Sequence, residues 1–331
     1  MATVSATAWP DGEIRAGSRV LSLFENPLNA RLLRAHIDGP MRLGELQESV
    51  GPSAPSTVRA AVANLRANGA LARPSAGNST SAATVLSRAG EGMLFVAAEV
   101  EAWLARCPAG PIAPDSEEAR EAVKALGGGW SSTLMHGLAN RPFTLAELDS
   151  FIPGVSYASL ERRVSWMRAT GQIEPVRKAG RGTPYVVTDW LRYSIAPLCA
   201  AGRCERRHLE EESGPITAIE VEASFLLVVS LAPLRRSARG SCMLAVQTDP
   251  REPGEEEPRL AGVTVEVDRG QVASCTPEIG AEPTTWAVGA PETWLDVVID
   301  GRIEDLRIGG VNPQLALDLV TGMHFALFGD R

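Results

Sequence analysis

The segment PFTLAELDSFIPGVSYASLERRVSWMRATGQIE, residues 142–174, decides the fold because a related segment occurs earlier in the same chain. Residues 40–72 read PMRLGELQESVGPSAPSTVRAAVANLRANGALA, and the two segments align without a gap at an offset of 102 residues. Both carry apolar residues at helical spacing, a turn rich in Gly, Pro or Ser, and a glycine after the second apolar run. Internal self-similarity of this kind predicts one structural unit present twice, at about 18–107 and 117–209.

Each unit is predicted to contain three helices, two short extended runs and a final helix. Thr144 and Glu147 have the spacing of a capping box at a helix start, and Gly69 and Gly171 have the position of C-terminal caps. In the first unit the predicted helices are 19–37, a short helix around Leu43, 56–68 and 88–106, and the extended runs are 70–73 and 84–86. In the second unit the predicted helices are 118–140, a short helix around Leu145, 157–170 and 189–202, and the extended runs are 172–176 and 184–188.

This order of elements predicts a winged helix-turn-helix module. The third helix of such a module enters a major groove of DNA, and the two-stranded wing contacts the DNA backbone. Winged helices also dock proteins, so a helical interaction domain without DNA stays open as the alternative. We expect an α+β protein with winged helix-turn-helix domains at 1–110 and 111–209, followed by an acidic α+β domain at 210–331.

The third helix of the second unit carries the residues best suited to DNA. Leu160, Val164 and Met167 recur at helical spacing and predict a buried face, so the other side is predicted to point outward. Arginines there suit phosphate contact and bidentate recognition of guanine. The predicted DNA-binding residues of this unit are Ser159, Arg162, Arg163 and Trp166 on the helix, with Arg177, Lys178 and Arg181 at the tip of the wing.

The first unit is weaker at the same positions. Its third helix is predicted to bury Val58, Val62 and Leu65, and alanines 60 and 61 stand where the second unit has the paired arginines. The outward stripe is predicted to be Thr57, Ala60, Ala61 and Asn64, with Arg59 and Arg66 at the sides; of these, Thr57, Arg59 and Asn64 are the candidate DNA contacts. We therefore expect the second unit to supply more of the affinity for phosphate.

The net charge of the whole chain hides this signal. The formal charge is -8, which alone argues against a nucleic-acid partner. Residues 1–209 hold 23 Lys and Arg against 19 Asp and Glu, a net charge of +4, whereas residues 210–331 hold 9 against 21, a net charge of -12. The acidity belongs to the last third of the chain.

The second unit resembles the HxlR-type winged-helix transcriptional regulators of bacteria. The resemblance rests on residues 126–174, LGGGWSSTLMHGLANRPFTLAELDSFIPGVSYASLERRVSWMRATGQIE, and on residues 182–198, GTPYVVTDWLRYSIAPL. The last helix of the first unit, LSRAGEGMLFVAAEVEAWL, is similar to the same family more distantly. The resemblance implies DNA binding by homodimers of single modules. Since this chain has two modules, we expect either a monomeric pseudo-dimer or a homodimer.

The last third predicts strands followed by helices. Strands are predicted at 240–247, 260–267, 271–276 and 285–289, and helices at 291–299 and 313–328. The apolar run FLLVV within 216–234 fits either a helix or a strand, because periodicity cannot resolve so short a run.

Residues 286–301, WAVGAPETWLDVVIDG, and residues 306–320, LRIGGVNPQLALDLV, resemble the sterol-carrier-protein-type fold. The resemblance implies an apolar tunnel for a lipid or an acyl chain, and a small hydrophobic ligand is therefore a further expected partner. Ordinary core packing is the alternative for each candidate residue. The candidate tunnel residues are Phe225, Leu227, Trp286, Trp294, Leu319, Met323 and Phe325.

No pattern of catalytic residues emerges, so we expect no enzyme, no cofactor and no metal. The four histidines are isolated, the chain lacks GxSxG and P-loop motifs, and the five cysteines form no CxxC pair. No apolar stretch reaches the roughly 18–20 residues of a membrane helix, and residues 1–17 lack the pattern of a signal peptide. A cytoplasmic location is expected.

The sequence thus predicts a bacterial DNA-binding transcription regulator with tandem winged helices, responsive to a small apolar ligand in its third domain. The alternative is a protein-docking adaptor without enzymatic activity, whose winged helices bind a protein partner.

Overall fold

The computed structural model of the protein describes residues 17–74, 83–127, 131–176, 182–209, 216–248, 259–279 and 283–329. These residues form helices and strands of a mixed α+β protein, as the sequence predicts for the fold class. Buried apolar side chains from all three parts of the chain join in one continuous core.

The first unit begins with two short helices and ends with a long one. Its small sheet has the strand order β1-β3-β2, and both pairings are antiparallel. The elements are α1 (Ser18–Leu23), α2 (Pro27–Ala35), β1 (Met41–Arg42), α3 (Leu43–Ser49), α4 (Pro55–Ala67), β2 (Leu71–Ala72), β3 (Ala83–Leu86) and α5 (Arg88–Ala105).

The second unit repeats this order. An antiparallel hairpin follows its third helix, and an isolated bridge between Phe143 and Tyr185 takes the place of the β1 pairing. The elements are α6 (Glu117–Gly127), α7 (Ser131–Asn140), α8 (Leu145–Phe151), α9 (Tyr157–Ala169), β4 (Ile173–Pro175), β5 (Tyr185–Val187), α10 (Asp189–Tyr193) and α11 (Ile195–His208).

The predicted second and third helices are confirmed in both units. The bounds of α3 and α8, and of α4 and α9, differ by the same 102 residues that separate the sequence repeats. The Thr144 hydroxyl accepts a hydrogen bond from the Glu147 N–H at 3.2 Å, and the Glu147 carboxylate accepts one from the Thr144 N–H at 2.8 Å, which completes the predicted capping box. Gly69 and Gly171 have φ of 73° and 77°, as helix-ending glycines require.

Three predictions about helix length are wrong. The first helix is not continuous from 19 to 37, because Pro27 starts a new helix whose N-terminus is capped by Asn26, with the Leu28 N–H 3.1 Å from Asn26 Oδ1. The predicted helix over 118–140 is likewise divided into α6 and α7, and residues 128–130 between them lie outside the described residues. The last helix of the second unit is interrupted at Ser194 and continues to His208, beyond the predicted end.

The third part is a five-stranded sheet with helices. The strand order is β10-β9-β6-β7-β8, with β6 and β9 parallel and the other pairs antiparallel. Its elements are α12 (Ala218–Val228), a 3-10 turn (Val229–Leu231), β6 (Gly240–Thr248), β7 (Arg259–Asp268), β8 (Gln271–Thr276), β9 (Thr285–Gly289), α13 (Pro291–Asp300), β10 (Arg307–Gly310) and α14 (Pro313–Phe328).

The predicted strands and both predicted helices of this part are confirmed, and two features were undecided or missed. The ambiguous apolar run belongs to α12, where a capping box of Thr217 and Glu220 starts the helix and supplies a signal that periodicity lacks. The short edge strand β10 was not predicted, because the sequence RIGG has two glycines and a single apolar residue.

Equivalent helices of the two units pack against each other. Trp103 near the end of α5 stacks on Trp190 in α10, and Ala89 near the start of α5 accepts a hydrogen bond from Cys204 Sγ near the end of α11. The last helices of the two units are therefore antiparallel neighbours. Since α1 also packs on α6, two of the contacts between the units join matching elements, as in a two-fold symmetric dimer, whereas a third joins α1 to α11.

None of the helices within the described residues is both long and apolar enough to cross a membrane.

Candidate nucleic-acid interface

Helix α9 buries one face and presents the other to solvent. Leu160, Val164 and Met167 are buried, as their spacing predicts. Arg162 lies on the solvent-exposed side, and Ser165 and Arg168 follow it at intervals of three residues, so the three side chains are neighbours on the helix surface. The exposed residues of the helix are Tyr157, Ala158, Glu161, Arg162, Ser165, Arg168 and Ala169.

The prediction that Arg163 points outward is wrong. Arg163 is only 8% exposed, and its Nη1 donates a hydrogen bond to the backbone oxygen of Lys124 at 2.9 Å. The reason is angular: position 163 is three residues after Leu160 and four before Met167, which places it at the edge of the buried face. Arg163 thus holds the C-terminal turn of α6, where a cation stabilises the free carbonyl groups.

The two other predicted residues of α9 lie at the side of the exposed face. Ser159 is half-buried, and its hydroxyl accepts a hydrogen bond from the Ser156 hydroxyl at 2.9 Å beside the N-cap. Trp166 is also half-buried, and Lys124 Nζ lies 5.0 Å from the centroid of its ring, within the range of a cation–π contact. Both side chains support the helix and still reach the surface.

Helix α4 exposes the predicted Thr57, Arg59 and Asn64. Asn64 is held in place, because its side-chain and backbone oxygens accept hydrogen bonds from Asn68 Nδ2 at 3.1 and 2.9 Å. The prediction that Ala61 points outward is wrong, since that residue is 5% exposed and occupies the position that Arg163 has in the second unit.

Helix α4 exposes Arg59 and Arg66 and contains no acidic residue, whereas α9 exposes Arg162 and Arg168 beside Glu161. The two helices therefore differ in where their exposed arginines lie and not in how many they expose.

Part of the predicted interface lies outside the described residues. Arg177, Lys178 and Arg181 at the tip of the second wing belong to residues 177–181, and the tip of the first wing belongs to residues 75–82. Sequence reasoning missed Ser165 and Arg168 on the helix itself. The signal for Ser165 was available, because the direction opposite Leu160, Val164 and Met167 passes through positions 158, 162, 165 and 169, whereas Arg168 lies to the side of that direction.

Three basic residues of the second unit already have acidic partners in the third part. Arg203 lies 2.8 Å from Asp300, Arg207 lies 2.5 Å from Asp296, and Arg206 pairs with Glu292. The acidic residues recur every four positions and share one side of α13. This ion-pair network joins α11 to α13, so the positive charge counted over 1–209 overstates what α11 can offer to DNA.

Helix α12 covers the outer side of α7. The two helices make extensive contact, and His136 Nε2 lies 3.0 Å from Glu222 Oε2. Arg192 in α10 donates to the backbone oxygens of Leu226 and Leu227, at 3.0 and 3.1 Å, near the end of α12. The third part is therefore fixed to the second unit by apolar packing and by polar contacts.

The seven candidate tunnel residues do not surround one space. Phe225, Leu227, Trp294, Leu319 and Met323 are buried in the continuous core, and the rings of Phe225 and Trp294 touch edge to face with centroids 4.9 Å apart. Phe325 is 45% exposed. Trp286 lies on the opposite face of the sheet with Met243 and Val288, because side chains alternate along β9. Core packing accounts for the five buried residues.

Glu205 ties the second unit to the first. Its carboxylate accepts hydrogen bonds from the N–H groups of Gly17 at 2.7 Å and Val20 at 2.9 Å, at the start of α1. Burial raises the pKa of this carboxyl above its ordinary value, and the backbone N–H groups of Gly17, Arg19 and Val20 counteract part of that rise. The residue satisfies helix-terminal donors that would otherwise be buried without an acceptor.

His36, Cys204 and Cys242 are buried within the fold, and burial shifts the pKa of each side chain. His36 Nδ1 lies 2.7 Å from the backbone oxygen of Leu32, and burial lowers the pKa of its imidazole. Burial also raises the pKa of the Cys204 and Cys242 thiols to about 12, so both stay protonated at neutral pH. Within the described part of the chain, no three His, Cys, Asp or Glu side chains are grouped so that they could hold a metal ion.

Comparison of the chain with known protein families and with curated proteins found no match.

Proposed function

We propose that the protein is a transcription regulator that binds double-stranded DNA through two tandem winged helix-turn-helix units. The observation that carries the proposal is the exposed face of α9, where Arg162, Ser165 and Arg168 are adjacent. This helix follows α8 after a short turn and precedes the hairpin of β4 and β5, which is the order of a helix-turn-helix with its wing.

The residue types on α9 fit DNA chemistry. An exposed arginine near the middle of a recognition helix can bind O6 and N7 of guanine with two parallel hydrogen bonds, and a serine can bind either a base edge or a phosphate. A bidentate contact of this kind is worth about 1–3 kcal/mol of discrimination between bases. Arg162 is the proposed base contact, and Arg168 the proposed phosphate contact.

The packing of the units supports a pseudo-dimer within one chain. The single-module regulators that the second unit resembles bind near-palindromic sites as dimers, and here α5 meets α11 and α1 meets α6 within one polypeptide. We propose that α4 and α9 address two half-sites, with α9 contributing the stronger contact. An association of two chains stays a prediction, and light scattering of the purified protein tests it.

The experiment uses the full chain, because separation of the units would expose Trp103, Trp190 and the contact surfaces of α5 and α11. Fluorescence anisotropy with labelled DNA from the upstream region of its own gene is measured across a salt series. DNA binding predicts a linear fall of log K with log salt. The Arg162→Ala variant is expected to bind about tenfold or more weakly, since 1.4 kcal/mol corresponds to tenfold. Exposed Arg307→Ala, on β10, is the matched control.

An absence of binding at low salt would contradict the proposal and favour the protein-docking adaptor. A small apolar ligand in the third domain stays a prediction, although the placement of the seven candidate residues does not add support to it.

A further inference from the structure

Helices α4 and α9 carry opposite charges at one matching position. At the offset of 102, position 161 of α9 corresponds to position 59 of α4, and these positions hold Glu161 and Arg59. Both residues are exposed. Glu161 is the only acidic residue of α9, and α4 has none. The two helices therefore present different chemistry to a ligand at this position.

None of the usual ways in which a glutamate stabilises a helix applies to Glu161. It is the fifth of the 13 residues of α9, beyond the first turn, where a carboxylate interacts with free N–H groups. The residues four positions away are Tyr157 and Ser165, so neither is a cationic partner. Within the part of the chain that the structure describes, its carboxylate forms no ion pair and no hydrogen bond.

Glu161 lies on the face of α9 that is proposed to enter the major groove. It shares the exposed side with Ala158, one turn earlier, and with Ser165, one turn later. It also lies in the N-terminal half of the helix, the part that contacts base edges in helix-turn-helix complexes. Since phosphate repels a carboxylate, a glutamate in this place is compatible with DNA where it meets a hydrogen-bond donor of a base.

Cytosine is the base that suits a carboxylate in the major groove. It presents the N4 amino group as a donor, whereas adenine presents its N6 amino group beside the acceptor N7, and guanine and thymine present acceptor oxygens. An ionised carboxylate can only accept hydrogen bonds, so it is paired by cytosine N4 and repelled by the acceptors of the other bases. The guanidinium of Arg59 has donors only and cannot make this contact.

We infer that Glu161 is a specificity-determining residue that selects a cytosine in the half-site bound by α9, and that the half-site bound by α4 lacks this requirement. The inference rests on the proposed function, since it names a base that the same surface selects. The preferred DNA site is then not a perfect palindrome, and the chain binds it in one orientation. Two units within one chain can make this distinction, whereas a homodimer of identical modules presents the same residue to both half-sites.

Selection by the full chain from a library of random-sequence DNA duplexes, followed by sequencing, gives the preferred base at each position. The unmodified protein is expected to select cytosine at one position of one half-site. Glu161→Ala is expected to lose the preference at that position and to keep the others. Glu161→Gln is expected to select adenine there, because a glutamine amide binds N6 and N7 of adenine with two hydrogen bonds.

Fluorescence anisotropy then compares the selected duplex with one that has a T·A pair in place of that C·G pair. The unmodified protein is expected to bind the T·A duplex at least about fivefold more weakly, and Glu161→Ala is expected to bind the two duplexes equally. Glu304→Ala removes an exposed carboxylate of the third part and is the matched control, expected to discriminate like the unmodified protein. Circular dichroism checks that each variant is folded.

Three results would overturn the inference and leave the proposed function intact. The first is a set of base preferences that Glu161→Ala leaves unchanged at every position. The second is an equal gain in affinity of Glu161→Ala for all duplexes, which would mean that Glu161 only repels phosphate. The third is a requirement for cytosine in both half-sites. An absence of DNA binding by the unmodified protein at low salt would instead contradict the proposed function, and the inference would fail with it.

Discussion

The two repeated units share their elements and differ in what their outer surfaces carry. Helices α3 and α4 begin and end 102 residues before α8 and α9, respectively. Both helices expose two arginines, Arg59 and Arg66 on α4 and Arg162 and Arg168 on α9. They differ at the middle of the exposed face, where α4 has Ala60 and α9 has Arg162. The outer side of α7 is covered by α12, whereas that of α2 lines a cavity. A duplicated scaffold can thus keep its core while its outer surfaces diverge.

Matching positions on the contact between the units have also diverged. Trp103 in α5 corresponds to Glu205 in α11. Trp103 stacks on Trp190, with each indole N–H donating to the other residue's backbone oxygen at 2.8 Å, whereas Glu205 caps the start of α1. The contact thus pairs matching helices through side chains that differ between the units, which favours pairing of the first unit with the second over pairing of two copies of the same unit.

The largest expected effect is a loss of DNA affinity, and it tests whether α9 contributes more to DNA binding than α4 does. Replacement of Arg162 and Arg168 together by alanine is expected to weaken binding by about 2–5 kcal/mol, because one base contact and one phosphate contact are lost. Replacement of Arg59 and Arg66 is expected to cost less than about 1 kcal/mol, since α4 has Ala60 where α9 has the proposed base contact Arg162. Fluorescence anisotropy at one fixed salt concentration measures both variants. Equal losses would remove the proposed difference between the units.

The next largest effect concerns the tryptophan pair that joins the units. Trp103→Phe removes the donor to the Trp190 backbone oxygen, and a buried acceptor left unpaired costs about 1–3 kcal/mol. Trp190→Phe is expected to have a similar effect by the reciprocal bond. Urea unfolding of the single and double variants measures the coupling between the two residues. If the two losses simply add, the stacked rings do not act as a unit.

A smaller effect is expected at the position where Arg163 replaces the alanine of the first unit. Arg163→Met keeps an apolar stem of similar length and removes the hydrogen bond to the Lys124 backbone oxygen, so the free energy of unfolding is expected to fall by about 1–2 kcal/mol. DNA affinity should be unchanged, because the side chain is buried. A loss of affinity in a folded Arg163→Met protein would restore this residue to the proposed interface. Arg162→Ala is the control, with a stability change expected within about 0.5 kcal/mol.

The smallest expected effect is a pH dependence of the free energy of unfolding. It arises from Glu205 of the second unit, since Trp103 at the matching position of the first unit does not titrate. Burial raises the pKa of Glu205 above its ordinary value near 4.5, so the folded protein binds this proton more tightly than the unfolded chain does. Its contribution to stability is therefore largest below that value and falls as the pH rises toward the folded-state pKa. Glu205→Gln has no proton to lose, so this fall should be absent from its urea unfolding curves between acidic and neutral pH. Exposed Glu161→Gln is the control, and an identical pH dependence in all three proteins would contradict the assignment.

Most of the fold could be predicted from the sequence, because local signals agree with the packing. The capping box at Thr144 and the glycines at 69 and 171 set the ends of helices by interactions within a few residues. The strands of the third part were equally visible, since turn residues bound them on both sides. The break before Pro27 was also readable in principle, because proline favours the first turn of a new helix.

The candidate site could be predicted only in part. The apolar spacing of α9 identified which helix face is buried and placed Arg162 in solvent, but a boundary residue such as Arg163 depends on the neighbour that it meets. The seven apolar residues assigned to a ligand tunnel lie in different places, and the sequence could not reveal this, because a buried aromatic residue in a core and one at a ligand site have the same sequence signature. The cavity that α2 lines was invisible, since its walls come from segments far apart in the chain.

The sequence by itself determined the duplicated unit, the element order and the division of charge between 1–209 and 210–331, because these depend on spacing and composition. Only the tertiary structure decided that α5 and α11 pair, that the arginines of α11 are occupied by the acidic α13, and that Arg163 is buried against the end of α6. The physical reason is that local hydrogen bonding and apolar periodicity act over a few residues. Burial, ion pairing and unsatisfied donors depend on which distant surfaces meet.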